Sequence, residues 1–270
     1  MSTDTLPPQT SAPPPQRRRW SRPLVVVLVT IAIAAGLLLA TMTLAALAGR
    51  TTDTSREVVT APVDTLEIDV ESGRVVVEAG DSDDIEVTAT RRWALWAQPT
   101  VSTEVLGGTL RVAGDCPAWF VPWCETSVRV RAPEDVTVVA DSDAGTIDVR
   151  GTAADVDAST SAGNITVDDV AGAVALHTSA GSIDARGLHG DSIEARTSAG
   201  NVTLDVERAP RRIEAESDAG SVDVAVPDGS YDVQADTSVG QVRVDVVSDP
   251  SADRTILART SAGNVTVRGR

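Results

Sequence analysis

Two cysteines, Cys116 and Cys124, and the aromatic residues around them are the stretch of this sequence best equipped for chemistry. They are the only cysteines, set eight apart in CPAWFVPWC. In an oxidising compartment such a pair most simply forms one disulfide closing a small loop. A metal site would need further His or Cys close by, and the sequence offers none. Trp93, Trp96, Trp119, Phe120 and Trp123 all fall within the same region. Aromatic faces give large contact area at low entropic cost, which suits a binding patch for a glycan, a lipid or a protein. The same rings would equally serve to plug the open end of a core. Both readings stand on the sequence.

Elsewhere the signatures of catalysis are missing. His177 and His189 have no Ser, Cys or metal-ligand spacing around them, and there is no G-x-S-x-G, phosphate-cradling loop or H-E-x-x-H. The expectation is that the chain is not an enzyme and needs no cofactor. Acidic side chains are plentiful, but they lack the nonapeptide pattern of calcium-binding rolls. The net charge is −16, and the segment up to Gly49 carries four arginines against one acid, so the remainder is more acidic still. A body of that charge repels nucleic acid.

The element that must position any such site is a twelve-residue unit, clearest as IEARTSAGNVTL from Ile193 to Leu204. It recurs around Gly145, Gly163, Gly181, Gly200, Gly220, Gly240 and Gly263. Apolar residues alternate before the glycine, as Ile193, Ala195, Thr197 and Ala199 do, and resume two and four residues after it. Period two buries one face of a strand, and the change of parity at Ala-Gly demands a bend or bulge. Turn-rich segments of variable length separate the units. Fixed units with variable returns predict an all-β solenoid of 18–23-residue coils. An antiparallel β-sandwich of hairpins is the alternative, because period alone does not separate the two. Asn164, Asn201 and Asn264, each just after a glycine, are placed to form a hydrogen-bonded ladder along the stack.

Along the chain, residues 1–22 read as a disordered, proline-rich tail ending in Arg17, Arg18, Arg19 and Arg22. Residues 23–49 read as one transmembrane helix, since Leu24 to Ala48 is uncharged and would reach about 37 Å as a helix. Flanking arginines put the tail in the cytoplasm and everything beyond Gly49 outside, in the cell membrane's extracytoplasmic space. A cleaved signal peptide is the rival, given the small-x-small Ala46-Leu47-Ala48. Residues 50–62 read as a linker. Residues 63–133 read as a divergent opening coil and cap, with Gly73 at the repeat's glycine position and a hairpin turn at Gly107-Gly108. The array proper fills 134–270. Because Arg270 follows the last apolar repeat position so closely, the C-terminal coil is expected at an uncapped end of the stack, free to pair with another molecule.

From Leu66 onward the chain resembles the bacterial putative-adhesin family, a domain of unknown function built of β-strand repeats. The resemblance rests on LEIDVESGRVVVEAGDSDDIEV, on VRVRAPEDVTVVADSDAGTIDVRG, and on TSAGNVTV, TSAGSIDA and SDAGSVDV. It implies an envelope-associated binding or scaffolding module, with a component of envelope-stress signalling as the alternative and a wall-polymer enzyme as the third. It supplies no catalytic residues, and it leaves the Cys116–Cys124 loop unassigned. Ligand and oligomeric state are not set by these residues.

Overall fold

The computed structural model describes residues 22–48, 50–94, 98–116 and 124–270. The proline-rich tail therefore lies outside the described residues, apart from Arg22. Helix α1 (Arg22–Ala48) and the β-domain beyond it are separate compact units. Side chains on α1 are described only at Val27 and over 29–41. Among the described residues no helix is long and apolar enough to cross a membrane. The expected span draws no support from them.

The β-domain opens with β1 (Arg50–Val59), β2 (Thr65–Ala79), β3 (Ile85–Ala94), β4 (Thr100–Leu106), β5 (Thr109–Asp115) and β6 (Cys124–Ala132). The array follows as β7 (Thr137–Thr152), β8 (Val156–Ala162), β9 (Ile165–Val170), β10 (Val174–Ala180), β11 (Ile183–Leu188), β12 (Ser192–Ala199) and β13 (Val202–Val206). It ends with β14 (Arg212–Ala219), β15 (Val222–Val226), β16 (Ser230–Val239), β17 (Val242–Asp245), β18 (Val247–Ser248), β19 (Thr255–Ala262) and β20 (Val265–Gly269). Each unit supplies one strand before its glycine and one after it. The strands stack in parallel register, Ile165 on Ile183 on Val202 on Val222. Parallel pairing across the array makes it a solenoid and excludes the hairpin sandwich. The described antiparallel pairs are β1 with β3, β3 with β6 and β4 with β5, all at the opening end. The last of these turns at Gly107-Gly108, both at positive φ, as the hairpin required.

Most of the segment read as a linker, 50–62, is instead strand β1, which pairs along its length with β3. Its threonines are β-branched and favour strand, and Arg56 and Asp53 make ion pairs with Glu86 and Arg91 across the pair. Strand β2 is an opening coil in register with β7, with Gly73 opposite Gly145.

The order of coils in space differs from their order in sequence. Strand β14 pairs with β19, and β16 pairs with the far side of β19; likewise β20 lies between β15 and β17. The last unit written is thus an inner coil, and the unit around Gly240 is outermost. This corrects the expectation that the chain's end closes the stack. Buried side chains show the same order: Ile256, Ala258, Val265 and Val267 are fully buried, whereas Val242 and Val244 are exposed.

The bend explains the motif residue by residue. At the turns of inner coils the glycine N–H donates to the carbonyl of the residue before the next coil's glycine, as Gly181 does to Ala199 and Gly263 to Val239, both at 2.9 Å. The residue two beyond the glycine resumes the ladder, as Ile183 N–H does to Asn201 O at 2.9 Å. That leaves the glycine carbonyl and the next residue's N–H outside the backbone ladder, and buried groups of this kind need partners. Inside, the Thr or Ser hydroxyl donates to the carbonyl: Thr178 to Gly163, Thr197 to Gly181, Ser217 to Gly200, Thr260 to Gly220 and Thr237 to Gly263, at 2.8–3.0 Å. Outside, the side chain after the glycine accepts the N–H of the next coil. Asn164 Oδ1 accepts from Ser182 N–H at 2.8 Å, Ser182 Oγ from Asn201 at 3.2 Å, and Asn201 Oδ1 from Ser221 at 2.9 Å. Ser221 Oγ then accepts from Asn264 at 3.3 Å, and Asn264 Oδ1 from Gln241 at 3.1 Å. The expected asparagine ladder exists, with serines as alternate rungs.

One prediction arises here. Thr197→Val should cost about 1–3 kcal/mol, because the Gly181 carbonyl loses its buried donor. Thr160 is also buried, but its hydroxyl has no hydrogen-bond partner. Thr160→Val should be neutral or slightly stabilising. Thermal melts of the two variants side by side check the contrast.

Candidate functional site

At the opening end, a cavity of about 520 Å³ is walled by β1, β2, β3, β6 and β7. Thr51 and Thr52 come from β1, Ser72, Gly73 and Arg74 from the bend of β2, and Arg92 and Trp93 from β3. Cys124 and Glu125 on β6, and Ala144, Gly145 and Thr146 at the bend of β7, complete the wall. Antiparallel pairing sets Trp93 directly opposite Cys124, which is disulfide-bonded to Cys116 with Cα atoms 6.0 Å apart. The Cys116 N–H donates to Glu71 Oε2 at 2.7 Å, which fastens the start of the loop to β2.

The chemistry of the wall is mixed. Trp93 is half-buried and offers an aromatic surface. Thr51, Thr52, Ser72 and Thr146 offer hydroxyls. Arg92 lies 3.5 Å from Glu125, and Arg74 lies 4.0 Å from Asp148; both guanidinium side chains are more than half exposed. Exposed pairs of this kind are worth little in stability, so both cations are free to contact a ligand.

Of the aromatic residues singled out from the sequence, the structure places Trp93 at this cavity beside the disulfide. Trp96, Trp119, Phe120 and Trp123 lie outside the described residues. Sequence reasoning missed Thr51, Thr52, Ser72, Arg74, Arg92 and Thr146. The threonine-rich 50–59 segment was the available signal for the first two.

The other candidate groups lie elsewhere. His177 is exposed on β10, in register with Ser159 and Arg196. His189 Nε2 sits 3.7 Å from both Asp169 Oδ1 and Glu207 Oε2. Arg196 binds Glu194, Glu214 and Glu216 across β12 and β14. Hydrogen bonds from Arg212 and Arg196 hold the Glu214 carboxyl below its usual range. Among the described residues, no group of three or more His, Cys, Asp or Glu side chains is placed to hold a metal ion.

An acidic row crosses the outer face near the cavity end. Desolvation, helped by Asp141 and Glu194 and opposed by His177, pushes the Asp157 carboxyl above its ordinary range. Asp69 is raised by desolvation and by Asp141, Asp115 and Asp143, against Arg111. A carboxyl raised in the folded state binds its proton more tightly than in the unfolded chain. Its contribution to stability is complete below about pH 4 and is lost as pH rises through the folded value. Asp157→Asn should therefore raise the melting temperature at pH 7 and have little effect at pH 3.5, which a pair of thermal melts checks.

Comparison with known proteins completes the picture. A search of curated proteins found no match. Among solved structures, a putative cell adhesion protein from Clostridium sporogenes ATCC 15579 aligns at 11% identity and a TM-score of 0.39. That alignment covers 81% of this chain and 100% of that one. A putative adhesin from Bacteroides fragilis NCTC 9343 aligns at 14% identity and a TM-score of 0.42, covering 82% and 97%. A putative lipid binding protein from Parabacteroides distasonis ATCC 8503 aligns at 12% identity and 0.33, covering 81% and 94%. The Toastrack DUF4097 family model matches residues 100–268, from β4 through β20, which is well over half of the sequence. This chain belongs to the Toastrack DUF4097 family.

Proposed function

We propose that the protein is a membrane-anchored binding module of the cell envelope, which takes its ligand in the cavity beside Trp93. The observation that carries this reading is the cavity itself, where hydroxyls, two exposed arginines and an aromatic side chain converge at one end of a regular, chemically bland stack. That combination suits a hydroxyl-rich ligand such as a wall glycan, with a sugar face against Trp93 and polar groups on the threonines and arginines. The anchor rests on the uncharged run from Leu24 to Ala48 behind four arginines. The Cys116–Cys124 bond supports placing the β-domain on the oxidising side of that membrane. On this reading the module acts by binding.

The test is co-sedimentation of the purified full chain in detergent with cell-wall and membrane fractions, beside Trp93→Ala. Saturable binding to a fraction, weakened at least about tenfold by Trp93→Ala at unchanged melting temperature, is the expected result. Equal binding by both proteins would remove the cavity from the account.

A further inference from the structure

The two ends of the stack are built differently. At the opening end the parallel strands are followed by antiparallel β4, β3 and β1. At the other end the coil of β16 and β17 is outermost. Among the described residues, strand β18 pairs only with Ser230 and Tyr231 at the start of β16, and β17 pairs only with β20. Val239, Val242, Val244 and Val247 are 71%, 44%, 37% and 66% exposed there. The Gln241 carbonyl accepts from Val265 N–H, so alternation along β17 turns the N–H and C=O of Val242 and Val244 away from β20. An unguarded edge of this kind is a template for another strand.

The edge reads Val242-Arg243-Val244-Asp245, and its charged pair makes it self-complementary about Val244. An antiparallel second copy centred there sets Val244 against Val244. It also sets Arg243 against Asp245 in both directions. The outward-turned groups of Val244 fall at a hydrogen-bonded pair, and Arg243 and Asp245 fall at the close, non-hydrogen-bonded pairs where side chains interact most. Apolar faces meet apolar faces, so the two cores join. Within one copy Arg243 Nε already lies 2.6 Å from Asp245 Oδ2, and dimerisation extends that pair into a ring of four alternating charges. We propose that β17 is a homodimer interface, with two copies paired antiparallel around a two-fold axis at Val244.

Sedimentation velocity of the full chain in detergent micelles, over a range of concentrations, tests this. Wild type should form a reversible dimer. Arg243→Asp opposes two aspartates twice over and should weaken it about tenfold, while Arg243→Asp with Asp245→Arg should restore it. Cys116 and Cys124 are bonded to each other, so Val244→Cys supplies a single free thiol, which should yield a disulfide-linked dimer on mild oxidation. A monomer at every concentration would overturn the proposal, as would association indifferent to both charge changes. Growth beyond the dimer would also overturn it, because that is the mark of head-to-tail stacking.

Discussion

Val267→Asp should unfold the protein or bring it to the edge of unfolding, whereas Val244→Asp, compared with wild type at concentrations that keep both monomeric, should shift the melting temperature by only a few degrees. The two residues occupy the same place in the repeat and are direct partners across β20 and β17. Val267 has no exposed surface, being enclosed between Val224 and Val244. Losing its burial removes about 1.5–3 kcal/mol, and an unpaired carboxyl in its place adds several more. Together these approach the about 5–15 kcal/mol by which domains are stable at all. Val244 is 37% exposed on the outermost strand, where an aspartate can stay hydrated. Near-equal melting temperatures for the two variants would mean that the final unit is not an inner coil.

Gly200→Ala is the second large effect. A Cβ at Gly200 would lie 1.9 Å from the Gly181 carbonyl oxygen and 2.5 Å from its carbon, both backbone atoms that cannot rotate away. Its φ is +151°, where an L residue is strained. Strain of this sort costs about 1–3 kcal/mol and forced overpacking about as much again. For a domain of this size the sum lowers the melting temperature by roughly 4–24 °C. Gly80 is the control. It has an ordinary φ, and its nearest neighbours to an added Cβ stand at 3.7 Å. Gly80→Ala should stay within about 0.5 kcal/mol of wild type. Differential scanning calorimetry of both variants decides it.

The glycine column shows how far the sequence could be read. Alternation broken at the repeat glycine located the bends, and the buried valines and isoleucines on either side are the residues that alternation selected. The reason for glycine was only half visible. A positive φ holds at Gly73, Gly200, Gly220, Gly240 and Gly263, but at Gly145, Gly163 and Gly181 the demand is steric. There an added Cβ would lie 1.6–1.8 Å from the next coil's carbonyl oxygen, a contact that exists only once coils stack. The threonine and asparagine of the motif likewise have a reason only across coils.

Coil order was legible in retrospect. The residues one and three after the glycine alternate as Asn-Thr at 164 and 166, Ser-Asp at 182 and 184, Asn-Thr at 201 and 203, and Ser-Asp at 221 and 223. The unit around Gly240, with Gln241 and Arg243, breaks the alternation in the sequence. Placing Asn264 and Thr266 directly after Ser221 and Asp223, as the fold does, continues it. At the cavity the sequence pointed to Trp93 and the disulfide, both within one region of chain. Arg74 and Thr146 reach the cavity only because the bends of β2 and β7 wall it together with β1, and a threonine-rich segment beside an apolar run resembles a linker until its partner strand is known.

Hydrogen exchange along the full chain tests the central claim, that the stack ends in an open coil at β17 and holds the last-written unit inside. At concentrations low enough to keep the chain monomeric, amides of β19 and β20 should exchange as slowly as those of β14 and β15, while Val242 and Val244 exchange fastest among the repeat strands. Slow exchange in β17 with rapid exchange through β20 would place the C-terminal unit at the end of the stack and contradict the account.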